Sequence, residues 1–420
     1  MSGDIRERRF GRFRLVAWQI LHFWKYGPEI RWFFWSIRLL LSLGGDRLAG
    51  RTPLLFSLTV WGHQQFIRPI LEELRRRNRK YSFYLILDQQ TDLPEGKLLG
   101  VARWKVRPYR EYLPFGKRFA ALLSPDIAAR HPPSDCPLRI YTGHGLPSKL
   151  FHWSPTGAVT KFTHWCLQGP LFRELQQDLA ARAPQVVARV GWLETGYPKS
   201  DELLARKGER DVLLEKFGLD PKLPTVLFAP AFDRGTSLER YGEAIFRTLM
   251  ELEGMNVLVK LHPVSYDRSV IGVHSKGIYW PDVLKKYEGA RFRHVGNVEV
   301  TECLLAADVM VCDVSGVALE YLLLDRPVVY LACPDFFRGI GAPPDGGESL
   351  LVNAGRPAGV EVGDMAGLAR AVREALGHPE HLSYRRHAVI QKLLFNPGHA
   401  TRVTVDTLER LLSTPAEAGK

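Results

Sequence analysis

The chain has 420 residues, 45% of them hydrophobic and 24% charged, a balance that excludes a peptide hormone, a disordered segment and a multi-spanning membrane protein. At roughly 150 residues per domain the length suits two domains, or three. Fifty-seven Lys and Arg against 45 Asp and Glu leave +12, which favours an anionic partner: nucleic acid, a phosphorylated metabolite or an acidic membrane surface.

Residues 1–50 carry nine Arg or Lys against four Asp or Glu, interleaved with Trp18, Trp24, Trp32 and Trp35. From Ile30 to Leu41 the apolar residues Ile30, Phe33, Phe34, Ile37, Leu40 and Leu41 fall on one helical face, with Arg31 and Arg38 away from it. Such a helix suits the membrane interface, its apolar face in the acyl boundary and its arginines against lipid phosphates. The alternative is an extension packed on the protein's own core. No recognised nucleic-acid module follows, so nucleic acid is not expected as a partner. No stretch reaches the ~18 apolar residues of a membrane span, and arginines interrupt any secretory-signal pattern. Gly45 to Thr52 has P-loop spacing, but Arg51 replaces the lysine and the segment precedes a strand, so it reads as a linker.

From Pro53 onward, strand and helix patterns alternate. Strands are predicted over Leu54–Trp61, Tyr81–Leu87, Val101–Val106, Leu138–Thr142 and His164–Leu167, with helices over Gln64–Arg77 and Leu171–Arg182. This rhythm breaks at Gly196–Asp201 and restarts after Gly218–Pro224. Strands then follow at Thr225–Pro230, Asn256–Leu261, Val309–Cys312 and Pro327–Leu331, separated by helices over Leu238–Leu252, Val300–Ala307 and Val317–Leu324. Two Rossmann-like units are expected to meet near residues 205–224, with ligands in the crevice at the strands' carboxyl ends. The domains predicted are a basic aromatic segment 1–50, a first Rossmann-like unit 51–205, a second Rossmann-like unit 206–380 and C-terminal helices 381–420 packing across both.

The residues suited to chemistry stand at strand ends. Gly143-His144-Gly145 follows a strand, and an imidazole at an exposed glycine turn is suited to taking a proton from a hydroxyl near neutral pH. Lys260 and His262 end another strand. Asp313, Ser315 and Gly316 precede a helix whose N-terminus can receive phosphate without metal, although Ser and Asp are also ordinary caps there. Arg234 closes a further strand and can supply a guanidinium to a diphosphate. Five widely spaced cysteines without a C-x-x-C pair argue against a zinc site or disulfide framework and for a reducing cytoplasm. H-E-x-x-H, clustered carboxylates with metal spacing and G-x-S-x-G are all missing from the sequence, so no metal is expected. A cleft of His, Arg, Lys and helix N-termini suits a nucleotide diphosphate.

Taken in order, these elements resemble the CDP-glycerol glycerophosphotransferase family. His144-Gly145 with Pro147 and Lys149 resembles its H-G-x-P-x-K element, and Gly196-Tyr197-Pro198 with Asp201 its G-Y-P-x-x-D turn. Ala229-Pro230 with Arg234, Leu261-His262-Pro263, Asp313 to Tyr321 with Arg326-Pro327, and Gly398 to Arg402 are similar to later elements in the same order. The departures are Gly143, Leu146 and Gly316, where the family usually has Trp, Thr and Ser.

The resemblance implies a GT-B fold of the α/β class, two Rossmann-like domains facing a central cleft, the first (51–205) for the acceptor and the second (206–380) for the donor nucleotide, here with an N-terminal amphipathic helical extension. It also implies cofactor-free, metal-independent transfer of glycerol or ribitol phosphate from a CDP-alcohol to a lipid-linked or polymer acceptor, with release of CMP, in surface-polymer synthesis. His144 would be the general base. His262, Ser315, Gly316, Arg234 and Lys260 would hold donor phosphates, Asp313 and Glu320 the nucleotide, and Gly145, Lys149, Asp201 and Arg402 would line the cleft. Such an enzyme would be cytoplasmic and peripheral on the inner face of the membrane, docked through residues 1–43. The alternatives are a GT-B sugar transferase using a UDP- or CMP-sugar, a sugar-nucleotide 2-epimerase, and a non-catalytic surface-binding protein.

Overall fold

The computed structural model describes residues 27–77, 81–89, 93, 98–126, 134–146, 159–269, 271–274, 276–296, 298–343 and 354–414. Pro147, Lys149 and residues 1–26 lie outside them.

The first half opens with helix α1 (Gly27–Leu48) and continues through β1 (Thr52–Leu58), α2 (Gln64–Arg76), β2 (Tyr81–Leu87), β3 (Val106–Arg107), β4 (Ala121–Ser124), β5 (Leu138–Tyr141), β6 (His164–Leu167), α3 (Pro170–Arg182) and β7 (Gly191–Glu194). Its seven strands lie in the order β3-β2-β1-β4-β5-β6-β7, and every pairing is parallel. Alternation along β1 sends Leu54, Phe56 and Leu58 to one face and Leu55 to the other. The first face packs on Ile67, Ile70 and Leu71 of α2, the second on Trp35, Leu39 and Leu43 of α1.

Helices α4 (Pro198–Ala205) and α5 (Arg210–Phe217) lead to the second half: β8 (Thr225–Phe228), α6 (Ala244–Glu251), β9 (Asn256–Val259), β10 (Phe292–His294), α7 (Val300–Ala306), β11 (Val309–Cys312), α8 (Val317–Tyr321), β12 (Val328–Leu331), β13 (Val360–Val362) and α9 (Met365–Gly377). Its sheet runs β10-β9-β8-β11-β12-β13, again all parallel. The two helices that end the chain, α10 (Ser383–Leu393) and α11 (Ala400–Ser413), return across the molecule: Leu393 joins the core of the second half, while Val405 and Leu408 enter that of the first. One cluster also spans the halves, joining Phe66, Leu171 and Tyr197 to Leu227, Leu258 and Met310.

Several expectations change. The strand predicted at Val101–Val106 is a 3₁₀ turn, Arg103–Lys105, leading into the two-residue β3. The helix predicted over Leu238–Leu252 is two pieces, Ser237–Tyr241 and α6, because Gly242 adopts φ +56°, a conformation that a continuous helix excludes. Strands β4, β7, β10 and β13, each three or four residues long, were not predicted.

Helix α1 combines the two readings of its sequence. The stripe of Phe33, Phe34, Ile37, Leu40 and Leu41 does not face the core. Those side chains are exposed, and Trp35, Leu39 and Leu43 are the residues buried on the sheet. Trp35 Nε1 donates to the Trp104 carbonyl at 2.8 Å, and Arg38 lies over the Trp104 ring. The helix is therefore anchored on one face and apolar on the other. No helix among the described residues is long and apolar enough to cross a membrane.

Candidate active site

In each sheet the order reverses beside its first strand, between β1 and β4 and between β8 and β11. Adjacent loops there diverge to opposite faces and leave a crevice at the carboxyl ends of the strands.

At the first crevice three strand-end residues converge. His63 lies in the 3₁₀ turn Trp61–His63 after β1, Asp126 follows β4, and His144 follows β5. His144 Nδ1 is 3.1 Å from Asp126 Oδ1, and His63 Nδ1 approaches the same oxygen at 2.7 Å. The two imidazoles meet edge to face, centroids 4.4 Å apart, and Phe66 packs on His144 at 4.8 Å. Asp126 is buried, and its other oxygen accepts the backbone N–H of Thr59 at 2.7 Å. Burial by itself would raise its pKa, but hydrogen bonds and charge from His144 and His63 outweigh that and hold the carboxyl well below the usual range. The carboxylate thus stays ionised and fixes the His144 ring through Nδ1. His144 is 37% exposed at its side chain, which leaves Nε2 as the nitrogen available to a substrate hydroxyl.

These three residues are also the group of His, Cys, Asp or Glu side chains that stands within ion-binding reach among the described residues, ligand atoms no more than 4.8 Å apart. The expectation of no metal rested on linear spacing, which does not register a trio drawn from three strands. The hydrogen-bonding distances at Asp126 Oδ1 suit an Asp–His dyad.

Gly143 holds the turn before His144 at φ +94°, and a Cβ there would stand 2.5 Å from Gln168 Nε2. Any side chain at this position would have to displace Gln168 and adopt a strained backbone conformation. Gly145 also has positive φ, with open space where its side chain would be.

At the second crevice, His262 is exposed, accepts the Val264 N–H on Nδ1 at 3.2 Å and stacks on Phe232 at 4.2 Å. Ser315 and Gly316 are half-buried at the start of α8. Arg234 is exposed in the loop after β8, beside an open depression of about 340 Å³ that it lines with Arg240, Lys276, Glu239 and Asp335.

Five predicted site residues are placed differently. Asp313 is buried, its carboxylate accepting from the Ala231 and Val314 N–H groups and from Ser237 Oγ at 2.5 Å, so it braces the loops after β8 and β11 from beneath. Burial raises its pKa, those hydrogen bonds opposing. Glu320 is buried and gives one oxygen to Tyr197 Oη at 3.0 Å and the other to Lys199 Nζ at 2.7 Å, which commits it to the first half and keeps it out of an open cleft. Lys260 is buried, its ammonium donating to the Leu261 carbonyl at 2.9 Å, and burial lowers its pKa. Asp201 caps α11, accepting from the Ala400 and Thr401 N–H groups at 3.2 and 2.7 Å. Arg402 is exposed on α11, where its carbonyl accepts from Arg77. Burial accounts for Asp313 and Lys260, and capping for Asp201.

Asp126, His63 and Lys199 were not among the predicted residues. His63 had a signal: Trp61-Gly62-His63 ends a strand with glycine and histidine, as Gly143-His144 does. Asp126 follows a strand too short to recognise.

Residues 182–336 match the family model described as CDP-glycerol:poly(glycerophosphate) glycerophosphotransferase. A comparison with curated proteins gave no match. Among solved structures the chain is similar to the wall teichoic acid polymerase TagF, at 16% identity and a TM-score of 0.62 over 86% of this chain and 89% of that one. It is also similar to the UDP-GlcNAc 2-epimerases of Neisseria meningitidis, at 12% identity and a TM-score of 0.53 over 86% and 100%, and of Methanocaldococcus jannaschii, at 12% and 0.54 over 86% and 99%. At these identities the likeness is one of fold, two facing parallel sheets in the GT-B arrangement. Over residues 182–336 the chain matches the model of the CDP-glycerol glycerophosphotransferase family, and its fold is of the GT-B type.

Proposed function

We propose that the protein transfers a polyol phosphate, glycerol or ribitol phosphate, from a CDP-alcohol to a hydroxyl of a lipid-linked or polymer acceptor at the inner face of the cell membrane. The observation that carries this reading is the Asp126–His144 pair at the first crevice, in a chain whose residues 182–336 match the family model. His144 Nε2 takes the acceptor's proton. The acceptor oxygen then bonds to the phosphorus that bears the polyol, the bond from that phosphorus to the bridging oxygen breaks, and CMP leaves with the electron pair. Such a transfer asks chiefly for positioning and charge neutralisation. His262, Arg234 and the N–H groups at Ser315 and Gly316 are suited to the diphosphate, and the exposed apolar stripe of α1 with Arg31 and Arg38 to an anionic bilayer.

The test supplies purified protein with CDP-glycerol or CDP-ribitol and a lipid acceptor and measures CMP release and product mass. Stabilisation by UDP-sugars in a nucleotide panel, with no CMP released, would move the assignment to a sugar transferase.

A further inference from the structure

Lys199 and Glu320 form an ion pair with 3% and 6% of their side chains exposed. Removing two charges from water is expensive, and apolar residues of similar volume commonly serve stability as well or better. A buried pair retained at one spot therefore asks for a geometric reason. Lys199 lies in the first turn of α4, on the segment that leaves the first half, and Glu320 lies on α8, four residues beyond Gly316. Tyr197 takes the remaining carboxylate oxygen, so the short helix α8, which follows Ser315 and Gly316, is bound at two points to the first half. On its other side, Lys199 Nζ lies 5.4 Å from the centre of the Phe66 ring, and Phe66 packs on His144. Four side chains in contact, Glu320, Lys199, Phe66 and His144, thus join the donor loop to the candidate base.

We infer that Lys199 is a positioning residue that, with Glu320, sets the His144 imidazole relative to the loop Ser315–Gly316 and passes donor binding from one crevice to the other. The inference rests on the transferase reading for the identity of the donor, but the coupling itself is measurable without turnover.

The experiment uses the full chain as wild type, Lys199→Met, and the double variant Lys199→Met with Glu320→Met, which leaves no unpaired buried charge. Thermal unfolding first establishes that the double variant is folded. With CDP-glycerol as donor, kcat should fall by about 10²-fold, the cost of a small misplacement far from the reacting atoms, while donor KM stays within about threefold. In histidine-labelled protein, adding CDP or UDP should shift the His144 ring signals of the wild type and leave them unmoved in the double variant; a His144→Gln sample assigns them. A folded double variant with wild-type kcat overturns the inference. So does a His144 signal that responds equally in both proteins, or to neither nucleotide in the wild type. Failure of the wild type to release CMP from either CDP-alcohol counts against the donor assignment alone, and the ring signals then decide the coupling.

Discussion

His144 and Asp126 meet at 3.1 Å, Nδ1 to Oδ1, on loops that follow neighbouring parallel strands. The carboxylate is buried and anchored on its other oxygen by the Thr59 N–H, so the imidazole is held by a partner that cannot swing away. His144→Gln should lower the rate of CMP release by about 10²–10⁴-fold, the usual contribution of a general base. Asp126→Asn should also lose activity, because it offers the ring a partner without charge. Both are read from kcat at saturating donor, with thermal midpoints measured alongside. Wild-type turnover in a folded His144→Gln protein would remove it from the chemistry.

Stability should respond to acid in two separate windows. His294 hydrogen-bonds to Tyr266 at 2.8 Å, and burial, with the nearby Lys260 charge, lowers its pKa to about 4. An unfolded histidine titrates near 6.5, so between these values the unfolded chain holds the extra proton. Stability from neutral His294 is thus fully present above about pH 6.5 and lost as pH falls toward the folded value. Asp126, whose folded pKa is depressed, contributes above the unfolded carboxylate range near 3.9 and loses that contribution only at lower pH. His294→Gln should therefore narrow the difference in thermal midpoint between pH 7.5 and pH 5, whereas Asp126→Asn should leave it largely unchanged. An unaltered difference in His294→Gln would contradict the assignment.

The two faces of α1 should separate in mutation. Leu39 and Leu43 are buried against the first sheet, so Leu39→Ala should cost about 2–5 kcal/mol of unfolding free energy. Phe34 and Leu41 are 63% and 72% exposed, and replacing both with Ser should shift stability by only about 0.5 kcal/mol each while abolishing co-sedimentation with anionic vesicles. Deleting residues 1–43 would strip Trp35, Leu39 and Leu43 from a core that includes Tyr84 and Tyr112, and should destabilise the first half. Undiminished vesicle binding by the Phe34 and Leu41 variant would remove the membrane assignment of this face.

Much of the fold was legible locally. The runs at β1, β2, β5, β6, β8, β9, β11 and β12 stand out because each is apolar, rich in β-branched or aromatic residues and bounded by turn residues. The spacing of α2 likewise survives as a helix with one buried face. By contrast, β4 and β7 are four residues each, Ala-Leu-Leu-Ser and Gly-Trp-Leu-Glu, and only pairing with neighbours makes them strands. Missing β4 meant missing Asp126, and with it the partner of His144.

What the sequence by itself determined is the register of chemistry along the chain: His144, His262 and Ser315 each fall just beyond a strand, because strand period and turn composition are properties of a few adjacent residues. Which of them act together was decided by tertiary structure. The reversal of strand order beside β1 brings His63, Asp126 and His144 to one point, and the closing of the two halves turns Glu320 from an expected nucleotide contact into the partner of Lys199. Pairings of that kind depend on which strands become neighbours and which charges lose their water, and both are settled only when the two sheets and the helices between them pack.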